Sequence, residues 1–348
     1  MTQKENYLRT VYFDRPDYIQ MTAAINAACW NAYPQEFLCE QMEKHPKLFP
    51  NFVRPELPYT PEYGCNARKD VPYTDFFGCT WYTSTDGITG TVLDHPLEDW
   101  NAFAAYKAPD PEICDGMNFI DWDKAKESIR SQPDIFHIGC LRHGHTFLQL
   151  CDIRGYENLM FDMVDEEPLL WDLIKLVEDF NLSIVKHMID AGVGGVAYAE
   201  DLGMQVGPML APEHFRKYIL PSYRTLMQPA KDAGLMIHMH SDGDIRTLAD
   251  DILNAGVDLL NLQDLVNGID WIRDNVKGKA CIELDIDRQN ITRFGTPAQI
   301  DALIREEVTK LGSPRGGLMF IHGLYPGTPM ENVEALYDAM ERYMGYFD

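Results

Sequence analysis

Two histidines separated by one residue, His238 and His240, carry the first chemical signal in this sequence. They lie in the short apolar run Gly-Leu-Met-Ile-His-Met-His-Ser-Asp-Gly, which predicts a buried strand that ends in a turn. Side chains two apart on a strand point to the same face, so both imidazoles would enter one space, as in half of a metal site. The structural alternative is that one histidine bonds a backbone carbonyl and the other only packs.

The elements that must position this pair follow from the rhythm of the chain after residue 134. Apolar strands with polar C-terminal ends alternate with helical segments, which indicates an α/β fold with a parallel sheet. Their number and the chain length favour a (β/α)8 TIM barrel over an open doubly wound sheet. Besides the His-x-His run, predicted strands cover 76–82, 134–140, 195–201, 258–263, 280–287 and 317–322. Predicted helices cover 159–191, 212–233 (with a break at Pro221), 245–255, 269–276, 297–311 and 331–343.

The N-terminal part of the chain departs from this rhythm. Residues 1–75 mix helical patterns with several prolines, and they predict a helical and loop extension packed on the barrel. No low-complexity segment, internal repeat or linker-like stretch interrupts the sequence. We therefore expect residues 1–348 to form a single barrel domain.

Polar side chains collect at the C-terminal ends of the predicted strands. In a barrel these ends converge on one mouth, where active sites are built. The residues placed there are Glu200, Asp201, His238, His240, Asp242, Gln263, Asp264, Glu283, Asp285, Asp287 and His322. The predicted metal ligands are His238, His240 and His322, and the predicted catalytic carboxylates are Glu200, Asp201 and Glu283. Each carboxylate keeps a structural alternative, as a helix cap or as a hydrogen-bonding partner of a neighbouring loop.

A further set of residues is predicted to contact the substrate. A second His-x-His, His143 and His145 in Leu-Arg-His-Gly-His-Thr, predicts a loop after the strand over 134–140. Trp81 and Tyr82 could line an apolar pocket, and Gln263 ends another strand. The alternatives are that the histidines are solvated loop residues and that the aromatic residues belong to the core.

Composition restricts the class of protein. The chain is 45% hydrophobic and has a formal net charge of -24, which opposes binding to nucleic acid or to anionic membrane surfaces. No stretch of about 18 or more apolar residues is present, and the N-terminus lacks the apolar core of a signal peptide. We therefore expect a cytoplasmic protein without a membrane span. Eight cysteines without a CxxC pair are expected to be reduced thiols.

Several motifs in the C-terminal half resemble the uroporphyrinogen decarboxylase superfamily. They are Glu200 to Gly203, Gly207-Pro208, Pro212 to Phe215, Pro221, Gly234 to Asp244, Gly316-Gly317 and Pro326 to Asn332. Weaker similarity extends to the N-terminus at Glu5 to Leu8 and Arg15 to Asp17. The resemblance covers nearly the whole chain and implies the barrel fold of that superfamily.

The superfamily holds two chemistries: decarboxylation of a porphyrinogen without a cofactor, and corrinoid-dependent methyl transfer, often with zinc. Zinc methyltransferases that act on thiols carry a His-x-Cys on one strand and a cysteine on a later strand. Here His238 matches the histidine, whereas His240 and His322 stand where the cysteines would be. Neutral imidazoles leave Zn²⁺ a stronger Lewis acid than thiolates do, and this suits an oxygen substrate.

The resemblance therefore implies the first methyltransferase of an O-demethylase system. It would use Zn²⁺ to take the methyl group of a methoxylated aromatic and transfer it to the cobalamin, as cob(I)alamin, of a separate corrinoid protein. Three alternatives stay open: a metal-free decarboxylase, a barrel whose histidines bind a substrate carboxylate after loss of the metal, and a non-catalytic barrel that binds an aromatic acid. The sequence also leaves open whether the chain forms a homodimer.

Overall fold

The computed structural model describes residues 1–347, and their contacts divide the chain into two compact units. The first unit contains Met1–Val71, Thr83–Gly90 and the chain from Asn261 onward. The second contains Pro72–Tyr82 and Thr91–Leu260. The expectation of a single domain over the whole chain stays a prediction.

Parallel strands form the centre of both units. The strands are β1 (Gln20–Ile25), β2 (Tyr73–Thr74), β3 (Thr80–Tyr82), β4 (Thr91–Asp94), β5 (Ile138–Cys140), β6 (Gly195–Ala199), β7 (Met236–Ser241), β8 (Leu259–Gln263), β9 (Cys281–Asp285) and β10 (Leu318–Leu324). In the first unit the strand order is β1-β10-β9-β8, and in the second it is β7-β6-β5. The chain passes from the second unit to the first within β8. A separate antiparallel sheet has the order β2-β3-β4.

Helices alternate with the parallel strands along the chain. They are α1 (Gln3–Val11), α2 (Cys29–Ala32), α3 (Gln35–Lys44), α4 (Trp122–Ser131), α5 (Phe147–Arg154), α6 (Tyr156–Asp165), α7 (Pro168–Ala191), α8 (Pro212–His214), α9 (Leu220–Asp232), α10 (Ala249–Asn254), α11 (Asp264–Asn267), α12 (Ile269–Asn275), α13 (Ile291–Phe294), α14 (Pro297–Leu311) and α15 (Met330–Met344). A 3₁₀ segment, Trp100–Ala105, and a π-helical turn, Phe215–Ile219, complete the set. This β–α order confirms the predicted TIM-barrel-like α/β fold.

Burial explains why the apolar runs become central strands. Every residue of β8 is buried, as are four of the five residues of β6 and of β9. Both faces of the parallel sheet in such a fold are covered, so most positions along its strands are apolar. In the second unit, α7 packs against α9 and buries one stripe of its surface, which includes Leu173, Val177 and Phe180.

Local signals set the ends of the long helices. Pro168 occupies the first turn of α7, where a missing N–H costs nothing, and the helix ends at Gly192 with a φ of +89°. The capping box Thr296–Gln299 starts α14. The π-helical turn separates α8 from α9 near the predicted break at Pro221. Within residues 1–347, no helix combines the length and apolar composition that crossing a bilayer requires.

Candidate metal centre

Three neighbouring strands of the second unit bring polar residues to one edge. Strands β5, β6 and β7 are parallel, and their register places Ala197 of β6 opposite His238 and Ala199 opposite His240. Because parallel strands end at the same edge of a sheet, the loops that follow β5 and β6 meet the end of β7. Leu141 N–H donates to Ala197 O at 3.0 Å and Gly144 N–H donates to Ala199 O at 2.9 Å, so the loop after β5 continues along β6.

One cluster at this edge has the geometry of a metal site. Nε2 of His143 lies 3.3 Å from Oδ1 of Asp201, and Nε2 of His240 lies 3.4 Å from the same oxygen. The two imidazole rings have their centroids 5.5 Å apart and are tilted by 51°. One ligand atom from each of the three residues lies within 4.8 Å of the others. Two imidazole nitrogens and one carboxylate oxygen form a donor set that zinc binds, so the cluster is compatible with a zinc site.

The central carboxylate of the cluster is held in its charged form. Burial alone would raise the pKa of the Asp201 carboxyl, but hydrogen bonds to His143 and His240, together with their positive charge when protonated, lower that pKa below its ordinary value. The side chain of His143 is 52% exposed, whereas that of His240 is 20% exposed. A ligand would therefore approach the cluster from the His143 side. Oδ1 of Asp242 lies 3.9 Å from Nε2 of His240 at its edge.

Two glycines hold the loops after β6 and β7 against each other. A Cβ atom on Gly243 would lie 2.1 Å from the carbonyl carbon and oxygen of Gly203, and Gly243 has a φ of +81°. Asp242 N–H also donates to Oδ1 of Asp201 at 3.1 Å. The two backbones touch directly, and this close approach fixes Asp201 relative to the end of β7.

Glu200, predicted as a catalytic carboxylate, is fully buried and faces the helix that follows the His143 loop. Its Oε2 accepts the N–H of Thr146 at 3.2 Å and of Phe147 at 2.9 Å, and its Oε1 accepts the N–H of Leu148 at 3.0 Å. The hydroxyl of Tyr223 donates to the same carboxylate at 2.9 Å. Burial raises the pKa of Glu200 to about 6, although these donors oppose the shift. Both carboxylate oxygens of Glu200 therefore accept hydrogen bonds from protein donors.

The other residues of the second unit that were predicted to contact the substrate differ in their burial. His145 is 1% exposed, with Nδ1 at 2.6 Å from Oγ1 of Thr146, and burial, followed by the charges of His143 and Arg142, lowers its pKa to about 3. It is therefore a neutral core histidine at pH 7. Trp81 is also buried, and its Nε1–H donates to Oδ2 of Asp75 at 2.9 Å. Tyr82, next to it on β3, is half-buried.

The remaining predicted site residues belong to the first unit. Gln263 ends β8 and is 9% exposed, and Glu283 lies half-buried on β9 opposite Met319. His322 lies on β10 opposite Ala23, is 1% exposed, and its ring meets Tyr337 edge to face with centroids 6.3 Å apart. Burial, helped by the charge of a nearby arginine, lowers the pKa of His322 to about 3.

One of the three residues predicted as metal ligands, His240, lies in the cluster. Among residues 1–347, His240 joins a candidate metal-binding group whose other members are His143, predicted to bind substrate, and Asp201, predicted to be catalytic. His238 and His322 are not members of this group. A signal for His143 was present in the sequence: its own His-x-His follows the strand next to the one that ends in Asp201. The ligand roles of all these residues remain predictions.

Comparison with known proteins establishes the family. Residues 142–343, more than half of the chain, match the family model of uroporphyrinogen decarboxylase (URO-D), and the chain belongs to this family. The matched segment begins one residue before His143 and includes all three residues of the cluster.

Curated relatives carry the same family name. Uroporphyrinogen decarboxylase of Synechococcus sp. (strain CC9605) is 30% identical over 194 residues, which cover 52% of this chain and 50% of the relative. The uroporphyrinogen decarboxylase of Prochlorococcus marinus is 28% identical over 263 residues, which cover 72% of this chain and 70% of that relative. The first of these alignments thus spans about half the length of the relative. Among solved structures, a methyltransferase from Methanosarcina mazei has a TM-score of 0.65 at 18% identity and covers 99% of both chains, which shows a shared fold.

Proposed function

We propose that this protein is a zinc-dependent methyltransferase of the URO-D family that demethylates a methoxylated aromatic. The methyl group would pass to the cob(I)alamin of a separate corrinoid protein, so the cobalamin belongs to the partner. The observation that carries this proposal is the cluster of His143, Asp201 and His240, in which nitrogen and oxygen donors face a partly open surface.

The donor set supports an oxygen-directed chemistry. Bound zinc would supply Lewis acidity toward the ether oxygen of the substrate. Two neutral imidazoles and a single carboxylate give the ion less negative charge than a thiolate-rich set would, and this favours oxygen over sulfur as the group to be activated. The lowered pKa of Asp201 keeps that carboxylate charged well below neutral pH.

The chain's own residues define the approach of the substrate. The half-exposed ring of His143 marks the open side of the cluster, while Asp201 orients both imidazoles through the contacts of its Oδ1. Resemblance to the corrinoid-dependent branch of the family and the fold shared with a methyltransferase support the transfer of a methyl group. Glu283 and Gln263, as a predicted catalytic and a predicted substrate-binding residue, stay predictions.

Metal analysis tests the first half of the proposal. Protein purified without chelator should contain one zinc per chain, and His240→Ala should lose it. His187→Ala is the matched control, because that histidine lies on α7 and pairs with Glu112 away from the cluster. A wild-type protein without zinc, or a His240→Ala variant that binds it with unchanged affinity, would exclude this metal site.

Turnover tests the second half. A methoxylated aromatic should lose its methyl group only when the protein and a reduced corrinoid protein are both present, with methylcobalamin formation followed by absorbance. A tight complex with an aromatic acid, without turnover under these conditions, would instead support a binding protein.

A second candidate, a metal-free decarboxylase, is favoured by one observation. The curated relatives of this chain, including the one that is 30% identical, are uroporphyrinogen decarboxylases. Release of carbon dioxide from a porphyrinogen by zinc-free protein, at the same rate in His240→Ala, would establish this activity. Zinc-dependent demethylation without such release would exclude it.

A further inference from the structure

The carboxylate of Glu200 connects two of the three polypeptide segments that supply the metal cluster. It precedes Asp201 at the end of β6, and its side chain reaches the first turn of α5, directly after the loop that carries His143. We propose that Glu200 is a positioning residue, which holds His143 at the distance from Asp201 that metal binding requires. This inference rests on the proposed zinc site and assigns Glu200 a role in forming it.

The loop between β5 and α5 is attached on both sides of His143. Arg142, the residue before it, pairs with Asp152 at 2.8 Å and with Asp75 at 3.5 Å. Directly after His143, Gly144 N–H donates to Ala199 O at 2.9 Å. On its downstream side, the side-chain amide of Asn181 donates to the carbonyl of His145 at 2.6 Å. Beyond that point the three bonds from the backbone of residues 146–148 to Glu200 fix the entry into α5.

The first turn of a helix leaves backbone N–H groups without intrahelical acceptors, and a buried N–H that lacks an acceptor is costly. Glu200 satisfies three such donors of α5 in a fully buried environment. A carboxylate suits this task because both of its oxygens only accept, whereas a glutamine must turn its NH₂ group toward one of the same donors. Glutamine at this position would therefore release part of the turn.

The same contacts argue against direct chemistry by Glu200. Its side chain has no exposed surface, and backbone N–H groups and the Tyr223 hydroxyl surround its oxygens. A substrate at the half-exposed His143 would not reach it. Glu200 and Asp201 are adjacent in sequence, yet the first fastens the loop and the second faces the imidazoles.

The test compares Glu200→Gln with Tyr223→Phe. Tyr223→Phe removes one donor to the Glu200 carboxylate and leaves its bonds to the backbone of residues 146–148, whereas Glu200→Gln disturbs those bonds. Cobalt(II) is the probe, because its visible absorption reports both affinity and coordination geometry. We expect Glu200→Gln to weaken cobalt binding about 10–100-fold and to change the spectrum, as loss of a supporting partner does in metal sites. Tyr223→Phe should change the affinity less than about 2-fold.

Urea denaturation of both variants shows whether any difference follows stability alone. If Glu200→Gln binds cobalt as wild type does, or if both variants weaken binding equally at equal stability, the positioning role is refuted.

A metal-independent measurement separates this inference from the proposed function. The ring centroids of His143 and His240 lie 5.5 Å apart, so ring protons of selectively labelled histidines should show a cross-relaxation peak in metal-free protein. The peak should be present in wild type and Tyr223→Phe and lost in Glu200→Gln. If wild type binds no metal but these peaks behave as expected, the zinc proposal fails while Glu200 still positions His143. A peak that persists in Glu200→Gln overturns the inference.

Discussion

The contact between Gly203 and Gly243 should be essential for the geometry of the metal cluster, and Gly243→Ala tests it. The added Cβ would lie 2.1 Å from the carbonyl carbon and oxygen of Gly203. Non-bonded carbon atoms pack at about 3.5–4.0 Å, so the two backbones would have to separate by more than about 1 Å. Asp201 precedes Gly203 by two residues and His240 precedes Gly243 by three, so the separation acts close to both ligands.

The expected magnitude has two parts. Gly243 has a φ of +81°, and placing a non-glycine residue in this left-handed region costs about 1–2 kcal/mol. Steric overlap with Gly203 adds about 1–3 kcal/mol, as in other overpacked sites. Gly207→Ala is the matched control, since Gly207 has a φ of +79° with no atom within 4 Å of the added Cβ. Gly207→Ala should therefore show only the cost of the left-handed backbone conformation.

Urea denaturation and zinc titration measure the two consequences separately. Gly243→Ala should lose more unfolding free energy than Gly207→Ala by about 1–3 kcal/mol. It should also bind zinc about 10–100-fold more weakly, because the 3.4 Å contact between Asp201 and His240 cannot survive the separation. Equal stability and equal zinc affinity in the two variants would show that the loops do not need this contact.

Two further predictions concern stability. Glu307 and Asp264 are buried neighbouring carboxyls, and burial raises the pKa of both. The contribution of this pair to the unfolding free energy is therefore fully present below about pH 4, where the carboxyls of the unfolded chain are also protonated. It is lost as the pH rises through the raised pKa values of the folded state. Glu307→Gln should raise the unfolding free energy at pH 8 by about 1–3 kcal/mol and should flatten the decline of that free energy from pH 5 to 8. The control Glu306→Gln, at an exposed position, should change the unfolding free energy by less than about 0.5 kcal/mol. A Glu307→Gln profile that declines as steeply as that of wild type would contradict the prediction. Removal of zinc by a chelator should lower the unfolding free energy by about 2.7 kcal/mol, relative to protein in free zinc at 100 times the dissociation constant for zinc. The chelator should not change the unfolding free energy of His240→Ala. An equal loss in that variant would place the stabilising metal elsewhere.

The fold was predictable because burial on both faces leaves a strong mark on the sequence. Strands β6 to β10 coincide with predicted apolar runs to within a few residues, and α14 matches its predicted range of 297–311. Strand β1 was not predicted, because its Gln20–Ile25 segment mixes polar and small residues among prolines and helical patterns. It becomes a strand by pairing in parallel with β10, a long-range contact that local sequence does not encode.

The predicted helix over 159–191 is two helices in the structure, and the sequence contains a local signal for the boundary between them. Helix α6 ends at Asp165, Glu166 takes a left-handed conformation with a φ of +56°, and α7 starts at Pro168. A proline disfavours helical geometry in the residue before it and suits the first turn of a new helix. The apolar periodicity continued across this boundary and concealed it.

The candidate site was harder to predict than the fold, because adjacent residues at a strand end point in opposite directions. Glu200 and Asp201 are consecutive acidic residues that the sequence could not distinguish. Only the position of α5 decides which of them accepts the backbone N–H groups at the start of that helix. His143 raised a related difficulty, since its loop carries two histidines: one is buried and neutral, and the other contacts Asp201. Residue type and spacing predicted polar side chains at the strand ends, whereas tertiary hydrogen bonds determine which of them meet in the cluster.

This selection changes the charge expected at the metal. A set of three histidines would leave the full double charge of Zn²⁺ on the ion, whereas His143, Asp201 and His240 would reduce it by one through a carboxylate whose pKa is lowered. The ion would still carry more positive charge than with two thiolates, so the preference for an oxygen substrate is retained. Oδ1 of Asp201 lies 3.3 and 3.4 Å from Nε2 of the two imidazoles, so the donor atoms are gathered before an ion binds. In this protein the carboxylate would therefore bring the two imidazoles together before the ion binds and moderate its Lewis acidity afterwards. Both effects depend on the loops that Glu200 and the glycine pair hold in place.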